Sequence, residues 1–78
     1  MIRELDSVVL TRDLPEHGLE RGDVGAIVHV HAGGKRYEVE FVTADGKTVA
    51  LLELGPEDVR PMDSGEILHA RGRSGAGP

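Results

Sequence analysis

The sequence predicts an all-β domain of five short strands. Three observations carry this. Glycines punctuate the chain between apolar stretches of strand length, one stretch alternates apolar and acidic residues at period two, and no stretch keeps a 3.6-residue period over three turns. The separating glycines are Gly18, Gly22, Gly25, Gly33, Gly34, Gly46 and Gly55.

Ser7-Val8-Val9-Leu10-Thr11 is apolar and β-branched and reads as the first strand. Val24 to Val30 is the second, with Val24, Ala26, Val28 and Val30 expected on one face and Gly25, Ile27 and His29 on the other. Tyr37-Glu38-Val39-Glu40-Phe41 is the third: strict alternation marks one buried and one wet face. Thr48 to Leu54 is more apolar throughout than the third strand, so a fourth strand is expected to be buried on both sides or to lie across a sheet corner. Asp58-Val59-Arg60-Pro61 is a short fifth strand, ended by a proline that cannot continue a ladder.

The connections fit a meander. Ala44-Asp45-Gly46-Lys47 and Ala32-Gly33-Gly34-Lys35 signal tight hairpins, the Asp-Gly pair suiting a type I′ turn. Asp13 to Arg21 is a longer polar loop, and Gly55-Pro56-Glu57-Asp58 reads as one helical turn before the last strand. These elements describe a small five-stranded SH3-like barrel, since closure removes exposed edges; the alternative is an open sheet that dimerises to cover one face. The barrel is expected over residues 1–63. Residues 64–78 form a C-terminal extension whose Gly/Ser/Pro-rich end is expected to be a flexible tail.

Seventy-eight residues allow one domain with a small core, and no cysteine is available to staple it. A homodimer would add buried area. The N-terminal residues carry two acids and no apolar run, and the longest apolar run, Val49 to Leu52, is too short to span a bilayer. A cytoplasmic protein without membrane contact is expected. Nine Lys and Arg stand against fourteen Asp and Glu, for a net charge of −5. Arg71 and Arg73 lie in the last eight residues, so the body is more acidic still. Such a field disfavours nucleic acid and suits either solubility or a basic protein partner.

No catalytic constellation is legible. Ser7, Ser64 and Ser74 lack a nucleophile-elbow context, and Glu38 with Glu40 forms the solvated half of an amphipathic strand. His29 and His31 share a strand face, and His17 is a conceivable third donor, but two histidines without further ligands do not make a metal site. No cofactor is expected. Gly22-Asp23-Val24-Gly25 feeds a strand rather than a helix, which argues against a phosphate loop; Gly25 is expected to allow a bulge or a close backbone approach. Tyr37 and Phe41, the only aromatics, belong to the core rather than to a stacking platform.

The ordered string Leu5 to Leu19, then Gly22-Asp23-Val24-Gly25-Ala26-Ile27-Val28-His29-Val30, with Tyr37 to Val42 and Asp58-Val59-Arg60-Pro61, resembles the bacterial domain of unknown function 4926 family over roughly residues 2–62. The glycine-containing segment is also similar to the turn-and-strand core of KOW-type barrels, whose RNA-binding members are basic where this chain is acidic. The resemblance implies no catalytic residue. It does imply small proteins paired in some cases with a toxin-like neighbour, and so an antitoxin or immunity role.

The leading expectation is a non-enzymatic protein-interaction module that meets a basic partner through Asp13, Glu16, Glu20, Glu38 and Glu40. One alternative is RNA or ribosome association through Arg12, Arg21, Lys35, Arg36, Arg71 and Arg73. Another is a small metal- or ligand-binding barrel using His29 and His31.

Overall fold

The computed structural model describes residues 2–72. It comprises β1 (Ser7–Leu10), a 3-10 turn (Pro15–His17), β2 (Val24–His31), β3 (Arg36–Val42), β4 (Thr48–Leu54) and β5 (Val59–Pro61). All pairings are antiparallel, in one sheet of order β4-β3-β2-β1-β5. The expectations for Arg73, Ser74 and the end of the tail lie outside the described residues.

Alternation in β3 does what its pattern demands: Tyr37, Val39 and Phe41 are buried, while Glu38 and Glu40 face outward. They share one cluster with Val8, Leu10, Leu14, Leu19 and Ile27, and with Leu54 and Val59 from the two edge strands. A sheet whose opposite edges supply one core must curl around it. Each such buried aliphatic or aromatic side chain contributes roughly 1.5–3 kcal/mol relative to exposure.

Two strands depart from simple alternation, each at a bulge. In β2 the register shifts between Ile27 and His29, leaving Val28 as the extra residue. An extra residue flips every side chain beyond it to the other face. Hence Ile27 is buried, Val28 is 45% exposed, and Val30 packs against the core. The expected single face of Val24, Ala26, Val28 and Val30 is therefore not formed. In β4 the shift falls between Phe41 and Val42 of its partner, and Val49 is the extra residue. Burial of β4 on both sides is also not found. As an edge strand it pairs only with β3; Ala50 and Leu52 pack on the core, Leu54 is buried, and Leu51 is 54% exposed.

Gly25 is a site of close approach, as its position suggested. A Cβ there would stand 2.6 Å from Val39 Cγ1 and 2.8 Å from Phe41 Cε2. At the β2–β3 hairpin, Ala32 and Gly33 both have positive φ, and Gly34 N–H donates to the His31 carbonyl, as a type I′ turn requires. At the β3–β4 hairpin only Gly46 is left-handed, so the loop is not type I′. Gly46 N–H donates back to Thr43, and Thr43 N–H donates to Lys47. The turn before β5 is present as a single hydrogen-bonded turn, Asp58 N–H to Gly55 carbonyl at 3.0 Å. The 3-10 turn lies earlier, in the long first loop, where Pro15 opens it and left-handed Gly18 ends it.

Candidate functional site

Much of the acidic surplus is turn chemistry. Four times an acid closes a four-residue turn by accepting, on its side chain, the backbone N–H three residues back, while its own N–H returns to that residue's carbonyl. Asp6 does this with Arg3 at 2.8 and 3.1 Å, and Asp23 with Glu20 at 2.8 and 3.0 Å. Asp58 does it with Gly55 at 3.0 and 3.0 Å, and Glu66 with Asp63 at 2.7 and 3.0 Å. The three aspartates immediately precede β1, β2 and β5. Such side-chain capping satisfies donors that a turn would otherwise leave free.

Two of these aspartates are buried, and each holds an arginine. Asp23 receives Arg71 from the C-terminal segment through two parallel bonds, Nε to Oδ1 at 2.9 Å and Nη2 to Oδ2 at 2.7 Å. Arg71 Nη2 also donates to the Gly18 carbonyl at 2.9 Å, and Glu20 Oε1 lies 3.6 Å from Nε. His69 Nε2 stands 3.1 Å from Asp23 Oδ1. Burial alone would raise the Asp23 carboxyl, but Arg71 and the Glu20 N–H hold it below the usual carboxylate range, with help from the charge of His69.

At the second corner, Arg12 Nε donates to Asp58 Oδ1 at 2.7 Å. Burial again opposes ionisation of Asp58, and Arg12 with the Gly55 N–H outweighs it. Here the arginine is mostly in water, 57% exposed against 18% for Arg71. A third pair is on the surface: Arg60 grips Glu66 with both Nη atoms at 2.7 Å. That grip, aided by the Asp63 N–H, lowers Glu66 to about 2.

The Asp23 corner opens onto a cavity of about 490 Å³ lined by Leu19, Val24, Phe41, Val42 and Val49 and, from the C-terminal segment, by residues 68–71. The expected partner-binding acids fall into two groups that no contact brings together. Asp13, Glu16 and Glu20 lie on the first loop, where Asp13 accepts the Arg21 N–H and Glu16 stands 4.0 Å from His17. Glu38 and Glu40 lie on the outer face of β3, with His31 3.4 Å from Glu38 and the Thr48 hydroxyl donating to Glu40 at 2.7 Å.

His29 and His31 do come together, with ring centroids 4.3 Å apart, but His29 faces Glu4 and His31 faces Glu38. Among the described residues no group of three or more His, Asp or Glu is arranged to hold a metal ion.

A family model described as Domain of unknown function (DUF4926) matches residues 4–61. The chain belongs to that family. No curated protein and no solved structure matches it. Asp23, Gly18 and Asp58 lie inside the span that the DUF4926 model matches, and Arg71 lies beyond it. No described helix is long and apolar enough to cross a membrane.

Asp23 and Asp58 are the residues that reading the sequence missed. The available signal was positional: each is the fourth residue of a turn that enters an apolar strand. The arginine that each one holds carries no local signal, because 48 residues separate Arg71 from Asp23.

Proposed function

We propose that this DUF4926 protein is a non-enzymatic module that binds a basic protein partner, of the kind an antitoxin or immunity protein neutralises. The outer face of the sheet carries the proposal. Ala26, Glu40 and Leu51 are neighbours across β2, β3 and β4, with His29, Glu38 and Glu53 in the next row. Leu51 and Val42 are each about half exposed on this face, beside the edge of β4 that pairs with no strand among the described residues. Exposed apolar side chains set among carboxylates, next to a free edge, suit a partner that offers cations around an apolar contact.

The strand order and the core shared by both edges support an SH3-like curl of the sheet, and a cytoplasmic location fits the proposed partner. The RNA alternative is weakened by pairing. Arg12, Arg36 and Arg71 are each engaged by carboxylates, on Asp58, on Glu53 and on Asp23 with Glu20.

The test is affinity capture from native lysate at moderate salt, repeated with the Glu38→Lys/Glu40→Lys double variant. A stoichiometric basic protein retained by the native chain, and bound at least tenfold more weakly by the variant, is expected, since one charge contact is worth about a factor of ten. Undiminished binding by the variant would remove the outer face from the account. Capture of ribosomal proteins and nuclease-sensitive RNA instead would favour the alternative.

A further inference from the structure

We infer that the Asp23 corner is an arginine-reading pocket that the chain's own Arg71 occupies, and that its exchangeable ligand is an extended, arginine-bearing segment of a protein partner. The acceptors of this pocket, Asp23 and the Gly18 carbonyl, are not part of the Glu38/Glu40 face, so the two proposals are tested at different residues even though Val42 borders both surfaces.

The receiving side is fixed without help from the C-terminal segment. Leu14 and Leu19 exchange backbone hydrogen bonds at 2.9 and 3.1 Å, which locks the loop that presents the Gly18 carbonyl. Gly22 N–H donates to the Leu10 carbonyl, and Leu10 N–H donates to the Asp23 carbonyl, each at 2.9 Å, which ties the turn to β1. The Asp23 carboxylate is aimed by the Glu20 N–H. These acceptors are therefore in place before any guanidinium arrives, and preorganised acceptors of this kind favour binding.

The occupant is held differently. Among the described residues, Ile67 to Ala70 make no backbone hydrogen bond. Ile67 is 96% exposed and Leu68 is 71% exposed. Apart from the His69 contact to Asp23, the segment is anchored by the Arg71 side chain alone. The pocket lies within the family-matched span and its occupant outside it. A rigid receptor with a tethered ligand held by two side chains, Arg71 and His69, and by no backbone bond is an exchangeable arrangement. The chemistry it selects is specific: a planar fork meets the carboxylate with two parallel bonds and the Gly18 carbonyl with a third, which a lysine ammonium cannot reproduce. The adjoining apolar wall favours a segment with an apolar residue shortly before its arginine, as Leu68 stands before Arg71.

The tethered Arg71 competes at an effective concentration on the order of millimolar, so an external ligand is masked until Arg71 is removed. The experiment titrates full-length protein with a capped synthetic peptide of residues 66–72, and with the same peptide carrying lysine in place of arginine. Amide shifts of Gly18, Glu20 and Asp23 report binding. The Arg71→Ala variant is expected to bind the arginine peptide about tenfold more tightly than the native chain does, and about tenfold more tightly than it binds the lysine peptide. The added change Asp23→Asn is expected to remove that preference. Equal binding by native and Arg71→Ala chains, or no binding by a folded Arg71→Ala chain, would overturn the proposal. Should that variant not fold, the Arg71 Nε–H resonance of the native chain decides. Its displacement by millimolar arginine peptide supports exchange, and an unmoved resonance refutes it.

Discussion

At the entrance to β2, Asp23 closes a turn on Glu20. At the entrance to β5, Asp58 closes the same turn on Gly55. The aspartate carbonyls even accept from consecutive amides, Leu10 N–H and Thr11 N–H. Yet one corner takes its arginine with two parallel bonds and a third to a carbonyl, in shelter, while the other takes a single bond at the solvent boundary. The turn explains why an aspartate is needed; it does not explain the arginine. The second requirement comes from what surrounds each carboxylate, and only the Asp23 corner combines a fixed carbonyl acceptor with an apolar cavity.

The largest expected contrast lies in the glycines beside the two aspartates. Gly25→Ala would drive a Cβ into Val39 and Phe41 in the core, and should cost about 3 kcal/mol in a urea melt. Gly55→Ala would instead meet the Glu57 carboxylate at 2.6 Å, the movable end of a solvent-facing side chain, and should cost less than about 1 kcal/mol. Similar losses for both would mean that the β2 approach is not the tight one.

Next come the carboxylates. Asn keeps the turn acceptor and removes the charge, so Asp23→Asn should cost about 2 kcal/mol and Asp58→Asn about half that, read from the same melts. Equal losses would erase the distinction between the corners.

Acid unfolding gives a third contrast. Asp23, Asp58 and Glu66 all have native pKa values below their unfolded ones, Glu66 at about 2. On lowering the pH the unfolded chain takes up protons first, so stability is full above about pH 5 and falls through the range from about 4 to 2. Asp23→Asn has no such proton to take up. Its deficit against the native chain should therefore be greatest at neutral pH and shrink toward pH 2, as pH-dependent melts would show; a deficit independent of pH would mean that the charge on Asp23 does not stabilise the fold.

How much of this was legible in the sequence follows from what each pattern encodes. Tyr37, Val39 and Phe41 announce their buried face because alternation survives wherever a strand is regular. The faces of β2 were misassigned because a bulge at Val28 leaves no composition signal and inverts everything after it. Leu51 made β4 look doubly buried, whereas it belongs to an edge strand with an apolar outer face. Asp13, Glu16, Glu20, Glu38 and Glu40 stand out in the sequence only by charge and by their place on a polar loop or an alternating strand. The acid with the most elaborate site, Asp23, looked like an ordinary turn residue because its partner sits in a Gly-rich C-terminal stretch far along the chain.

The smallest expected contrast is between the arginines themselves. Arg71→Ala should cost about 1 kcal/mol by urea melt, because its bonds are sheltered and charge-assisted. Arg12→Ala should leave the midpoint almost unchanged, since an exposed ion pair contributes little.

The central claim is that Asp23 and Arg71 form a built guanidinium site rather than an incidental surface pair, and a double-mutant cycle on Asp23→Asn and Arg71→Ala tests it most directly. The account predicts a coupling approaching the whole Arg71→Ala effect, about 1 kcal/mol, by urea denaturation. Single effects that add to within about 0.3 kcal/mol would contradict it.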